Sequence, residues 1–235
     1  GGASFKSIKA NGTLWAWGNN SKGQFGDPDL VGYIKLSPVQ IGSSTDWSSI
    51  SIGNEHIAAI KTNGTLWTCG YNNYGQLGDG TTVNKSSPIQ IGSLTDWADF
   101  GVSCGGSNVL AIKTDGTLWA WGQNNQGQLG DGTIGVDKSS PVQIGSLTDW
   151  DHVSNGTNSA YAIKTDGTLW AWGYNQGRLG DGTTVKQSSP VQIGSLTDWS
   201  IVRAMNTGGY AIKTDGTLWS WGSNGQGQLG DGTTV

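Results

Sequence analysis

The chain has 235 residues and a formal net charge of −4, its 13 basic residues spread along it. No cluster could neutralise a run of phosphates, so nucleic acid is excluded as an expected partner. Charged residues make up only 13%, while 40 residues are glycine and 13 are tryptophan, which fits many tight turns around an aromatic core and excludes a disordered chain. No apolar stretch approaches the roughly 20 residues of a membrane-crossing helix, so no membrane insertion is expected.

In chain order, Gly-Thr-Leu-Trp stands at residues 12–15, 64–67, 116–119, 167–170 and 216–219, at intervals of 52, 52, 51 and 49. A fixed period of this size marks a solenoid or propeller, whose units bury their apolar faces only against one another. The sequence therefore reads as one repeat domain over 1–235, with units at about 1–45, 46–95, 96–148, 149–197 and 198–235.

The third unit serves as the type. Residues 98–103 carry apolar Phe100 and Val102 at alternate positions and read as a half-buried strand A. Strand B is expected over 109–114 and strand C over 117–122, joined by Asp115-Gly116. An Asp-Gly or Asn-Gly pair between β-prone runs predicts a hairpin with a type I′ turn. After a polar loop over 123–140, Pro141 opens a short strand D over 141–144, a strand start being one of the few sheet positions proline tolerates. Four short antiparallel strands per period describe a propeller blade, and the expected class is an all-β propeller with helices nearly absent.

Strand C places two tryptophans on one face, and the strand C set Trp15, Trp17, Trp67, Trp119, Trp121, Trp170, Trp172, Trp219 and Trp221 is expected to hold blade to blade as structural core. Cys69 takes the place of the second tryptophan in its copy, which predicts a packing role, and Cys104 occupies a different repeat position. Two unpaired thiols are expected.

With the repeat laid out, the chain resembles the regulator of chromosome condensation family. The residues that carry the likeness are 111–122, Ala-Ile-Lys-Thr-Asp-Gly-Thr-Leu-Trp-Ala-Trp-Gly, followed by Asn124, Asn125 and Gly127-Gln128-Leu129-Gly130; the pattern recurs five times, with departures such as Phe25 and Arg178. The resemblance implies a β-propeller, usually seven-bladed, and a range of activities: nuclear nucleotide exchange, ultraviolet sensing, or inhibition of β-lactamases. The basic character of a chromatin-bound member and the photoreceptor's Gly-Trp-Arg-His stretch are both missing here. The family's Gly-x-x-His feature occurs once, at Gly53 and His56.

Aligned on the repeat, Gly1 falls opposite Gly53 and Val235 opposite Val83, giving five B–C hairpins but four A and four D segments. The expectation is a piece of a longer ring, or a ring completed by self-association or another subunit through the missing end strands.

The copies differ most between strands A and B, where Asn54, Glu55, His56, Ser107, Asn108, Asn155, Thr157, Asn158, Arg203, Met205 and Asn206 are the candidate binding residues. Variation on a constant scaffold is how repeat proteins make binding faces. No catalytic constellation, metal site or cofactor motif emerges: His56 and His152 lie at different repeat positions, and each Gly-Asp-Gly-Thr loop offers one carboxylate where calcium wants several. The sequence reading is a non-enzymatic binding or structural module that shows its A–B loops to a protein or glycan, on a bacterial, phage or virion exterior. The alternative is an intracellular regulator or inhibitor of a GTPase or other enzyme, acting through a propeller face.

Overall fold

The computed structural model describes residues 4–234, and the repeated Asn/Asp-Gly-Thr-Leu-Trp run builds one device five times over. The Asn11 or Asp115 side-chain oxygen accepts from both the amide and the hydroxyl of the Thr two residues on, and that hydroxyl accepts from the indole of Trp15 or Trp119, each at 2.9 Å. The glycine takes φ of +76° at Gly12 and +78° at Gly116, while its Asn or Asp neighbour does not. The turn is therefore not type I′, which needs positive φ at both central residues. The Gly116 amide donates to the Lys113 carbonyl at 2.9 Å, the pattern of a type I turn closed by a left-handed glycine.

The same glycine ties one unit to the next. Its carbonyl accepts from Trp47, Trp97, Trp150 or Trp199 at 3.1–3.2 Å as the chain enters the following sheet. A Cβ at Gly116 would strike the Thr148 carbonyl.

Five antiparallel sheets follow in chain order. The first holds β1 (Ser4–Ile8), β2 (Leu14–Asn19) and β3 (Ile34–Ile41). The second runs β4 (Trp47–Ile52), β5 (His56–Lys61), β6 (Leu66–Gly70) and β7 (Lys85–Gln90). The third runs β8 (Trp97–Cys104), β9 (Asn108–Lys113), β10 (Leu118–Gly122) and β11 (Lys138–Gln143). The fourth runs β12 (Trp150–Asn155), β13 (Ser159–Lys164), β14 (Leu169–Gly173) and β15 (Gln187–Gln192). The fifth holds β16 (Trp199–Met205), β17 (Gly208–Lys213) and β18 (Leu218–Gly222). Among the described residues the only helical segment is a 3-10 turn at Pro28–Leu30. Among the described residues the first sheet has three strands, with none equivalent to β4, and the last has three, with none equivalent to β15.

Apolar burial is split among four seams, one between each pair of neighbouring sheets. Leu118 and Ala120 of the third sheet, with Leu129 of the loop after β10, meet Trp150, Val153 and Trp172 of the fourth. Trp121 and Trp172 are fully buried and donate their indole N–H groups at 3.0 Å to the carbonyls of Gln76 and Gln128 in the preceding unit. Trp15, Trp17, Trp67, Trp119, Trp170 and Trp221 are only half-buried, and Trp219 on the last sheet is exposed.

Two expected strand readings need correction. Pro141 does not open its strand: β11 begins at Lys138, and the proline lies at a register shift on the outer edge of the sheet, where a missing ladder donor costs nothing. Phe100 is not half-buried. Trp97 and Val102 are five apart where Trp150 and Val153 are three apart, and the two extra residues form a bulge that leaves Phe100 76% exposed at φ +59°.

Candidate functional site

The turns that leave strand A for strand B come together. Their small residues allow it: a Cβ on Gly53 would meet the Gly105 carbonyl at 2.7 Å, one on Gly105 would strike the Gly156 carbonyl, and one on Gly156 would meet the Met205 carbonyl at 3.1 Å. Each turn thus rests on the backbone of the next. Direct bonds fasten the row: the Asn54 amide donates to Gly106 at 3.4 Å, and the Thr157 hydroxyl donates to the Asn206 side chain at 2.8 Å. Arg178, from the neighbouring loop, donates to the Asn206 carbonyl at 3.1 Å.

The result is an open depression of about 300 Å³, walled by Asn54, Gly106, Asn155, Thr157, Met205 and Asn206. Its lining is amide, hydroxyl and thioether, with no side-chain charge among these residues. Cys104 also reaches it but is 7% exposed, and burial pushes its thiol up to about 12. A thiol held protonated is neither a nucleophile nor a metal ligand at neutral pH.

The sequence candidates separate into three groups and one residue apart from them. Asn54, Thr157, Met205 and Asn206 line the depression, and Asn155 forms its floor. His56 and Asn108 lie beneath the surface with no exposure; the Asn108 amide donates to Asn155 at 3.2 Å, so their role is to carry the turns. Glu55, Ser107 and Asn158 anchor the turn's outer flank, where their carbonyls accept from Tyr71, Gln123 and Tyr174 at 2.8–2.9 Å. Arg203 stands apart on β16, where it donates to the Val202 carbonyl and to His152 Nε2. Burial, with Arg203 adding to it, holds the His152 pKa below the ordinary histidine value.

His56 is the odd member of the supporting layer. Both ring nitrogens are buried without a hydrogen-bond partner, and burial first, then Lys6, pushes its pKa down to about 4. Asn108 and Ser159 occupy the same place in the next two units, opposite Gly122 and Gly173. Sequence comparison marked these positions as variable but gave no sign that they point inward. The small residues Gly106 and Ala204, which the depression also requires, went unmarked because they carry no chemistry of their own.

Inter-blade seams, antiparallel sheets in chain order and a shared turn face together define a β-propeller. The chain belongs to the RCC1-like domain family, whose model matches residues 2–235. It is 28% identical over 184 residues to the ultraviolet-B receptor UVR8 of Arabidopsis thaliana, covering 77% of this chain and 42% of that protein. It is 30% identical over 191 residues to the human E3 ubiquitin-protein ligase HERC2, covering 77% of this chain and 4% of that one. In structure it resembles human WBSCR16, with TM-score 0.87 and 23% identity over 99% of this chain and 62% of that one. It also resembles yeast RCC1 (Prp20) in its complex with Kap60, with TM-score 0.80 and 19% identity over 94% of this chain and 54% of that one. The chain thus spans less than two thirds of each of these relatives.

Proposed function

We propose that the chain is a non-enzymatic binding module that holds a protein partner against the arc of its A–B turns. The observation that carries this reading is the arc itself, in which invariant backbone packing displays side chains that differ from one unit to the next. Such a surface recognises shape and hydrogen-bond pattern, and its buried Cys104 and His56 are both neutral at pH 7, which favours binding over catalysis. A protein is favoured over a glycan as partner because the yeast relative is seen bound to Kap60, and Prp20p of Saccharomyces cerevisiae is described with binding properties to Gsp1p and histones. With a formal charge of −4, this chain is less suited to DNA than to a partner of neutral or basic surface.

Affinity capture from the native source with the chain as bait tests this. Asn54→Ala, Thr157→Ala and Asn206→Ala combined are expected to lower capture of the partner at least about tenfold, the order expected from truncating a few contact residues. Unchanged capture by this variant removes the A–B face from consideration.

A further inference from the structure

Two further depressions repeat along the seams, away from the A–B turns. One, of about 430 Å³, is walled by Trp97, Trp119, Pro141 and Leu94, with Asp79 and Gln90 at its edge. The other, of about 290 Å³, is walled by the equivalent Trp150, Trp170, Pro190 and Leu147, with Asp131 and Gln143. The two indoles of each pair meet edge to face, at 6.2 Å and 76° in the first and 5.8 Å and 77° in the second.

The walls are held rigidly. Lys113 sits 4.6 Å over the Trp119 ring and pairs with Asp96 at 3.3 Å; Lys164 sits 4.3 Å over Trp170 and pairs with Asp149 at 3.4 Å. Trp119 and Trp170 each donate to a threonine hydroxyl at 2.9 Å. By contrast Leu94 and Leu147 are 45% and 44% exposed, and Gln90, Gln143, Ser140 and Ser189 are exposed at the rims. Each opening brings a half-buried indole beside an exposed amide and an exposed hydroxyl.

We propose that these two grooves are equivalent subsites for an uncharged hexopyranose. A pyranose ring has one face of C–H groups that stacks on an indole, and equatorial hydroxyls that match a side-chain amide and a serine hydroxyl. The chemistry disfavours a phosphate or a carboxylate ligand, because the cations near each groove are already paired: Lys85 with Asp79 and Lys138 with Asp131, both at 3.4 Å, and Lys113 with Asp96 and Lys164 with Asp149. Grooves of this size hold one or two sugar rings. Two weak sites on one rigid frame favour a chain of repeating sugars over a single one. The first seam is not a third copy: Ser44 stands there in the place of Leu94 and Leu147, and the Gln40 side chain donates to the Gly42 carbonyl at 3.0 Å.

The test is saturation-transfer NMR and calorimetry with cellobiose, maltose, lactose and N,N′-diacetylchitobiose, one at a time. At least one is expected to bind at millimolar concentration with a stoichiometry of two. Gln90→Ala is expected to reduce the count to one, and Gln90→Ala with Gln143→Ala to weaken binding about tenfold overall; both glutamines are exposed, so the fold is retained. Trp119→Phe with Trp170→Phe should likewise weaken it while keeping an aromatic wall. Absence of transfer to all four sugars overturns the proposal, as does binding unchanged in the double glutamine variant. Loss in Thr157→Ala/Asn206→Ala in place of the glutamine variants overturns it too, by moving the sugar to the A–B face.

Discussion

Single side chains show how a repeat tolerates change. Three junctions pack a leucine of one unit near a tryptophan of the next, as Leu77 with Trp121 and Leu129 with Trp172; at the first junction the pair is Phe25 and Cys69, both fully buried in one cluster. The larger residue has crossed the seam, so the ring is supplied from the other side, although Phe with Cys is a smaller pair than Leu with Trp. Cys69→Trp alone should overpack and cost about 1–3 kcal/mol, and adding Phe25→Leu should recover most of it; a double-mutant cycle by denaturant unfolding reads the coupling. Cys69 in the tryptophan place was legible in the sequence as a packing residue, but its partner was not, because nothing in one chain says which residue lies across a seam. His56 gives a pH dependence. Its folded pKa of about 4 lies below the ordinary histidine value of 6.5, so the unfolded chain binds the extra proton first. The stability it permits is fully present above pH 6.5 and is lost as pH falls through 4, a difference on the order of 3 kcal/mol. His56→Asn, which installs the side chain of Asn108, should flatten that limb in unfolding curves taken from pH 7 to pH 4.

Strands and turns were the most legible level, since alternation, Asp-Gly pairs and a constant period all act over a few residues. The errors came from interactions beyond that range. The turn type was misread because the Asn or Asp side chain folds back on a threonine and leaves only the glycine at positive φ. Phe100 was misread because alternation in a window cannot count two extra residues against the other copies. Gly116→Ala should cost about 2–3 kcal/mol, since both the positive φ and the Thr148 carbonyl oppose a Cβ. Gly177 also has positive φ yet nothing within 4 Å of a Cβ, so Gly177→Ala should cost less; thermal unfolding of the pair separates strain from collision.

For the whole molecule, stability accumulates seam by seam, because each sheet is buried by its neighbours and has little core of its own. Among the described residues no sheet covers the outer face of the last one, where Leu218 is 66% and Trp219 50% exposed. In the 235-residue chain taken by itself, amide exchange should therefore be slowest in β10 and β14 and fastest in β18, as mass spectrometry of exchanged peptides would show. The propeller class was readable from the period together with the four strands in each repeat, whereas the site was readable only as a set of variable loops. Which loop residues point outward depends on the meeting of four turns, each 50 or so residues from the next in sequence. The most direct test of the binding face is site-specific photo-crosslinking to the captured partner. Photoreactive residues are placed singly at Asn54, Thr157 and Asn206 on the A–B turns and at Thr62, Thr114 and Thr165 on the B–C turns. Adducts from the first three and none from the last three are expected; adducts confined to the B–C turns would contradict the assignment.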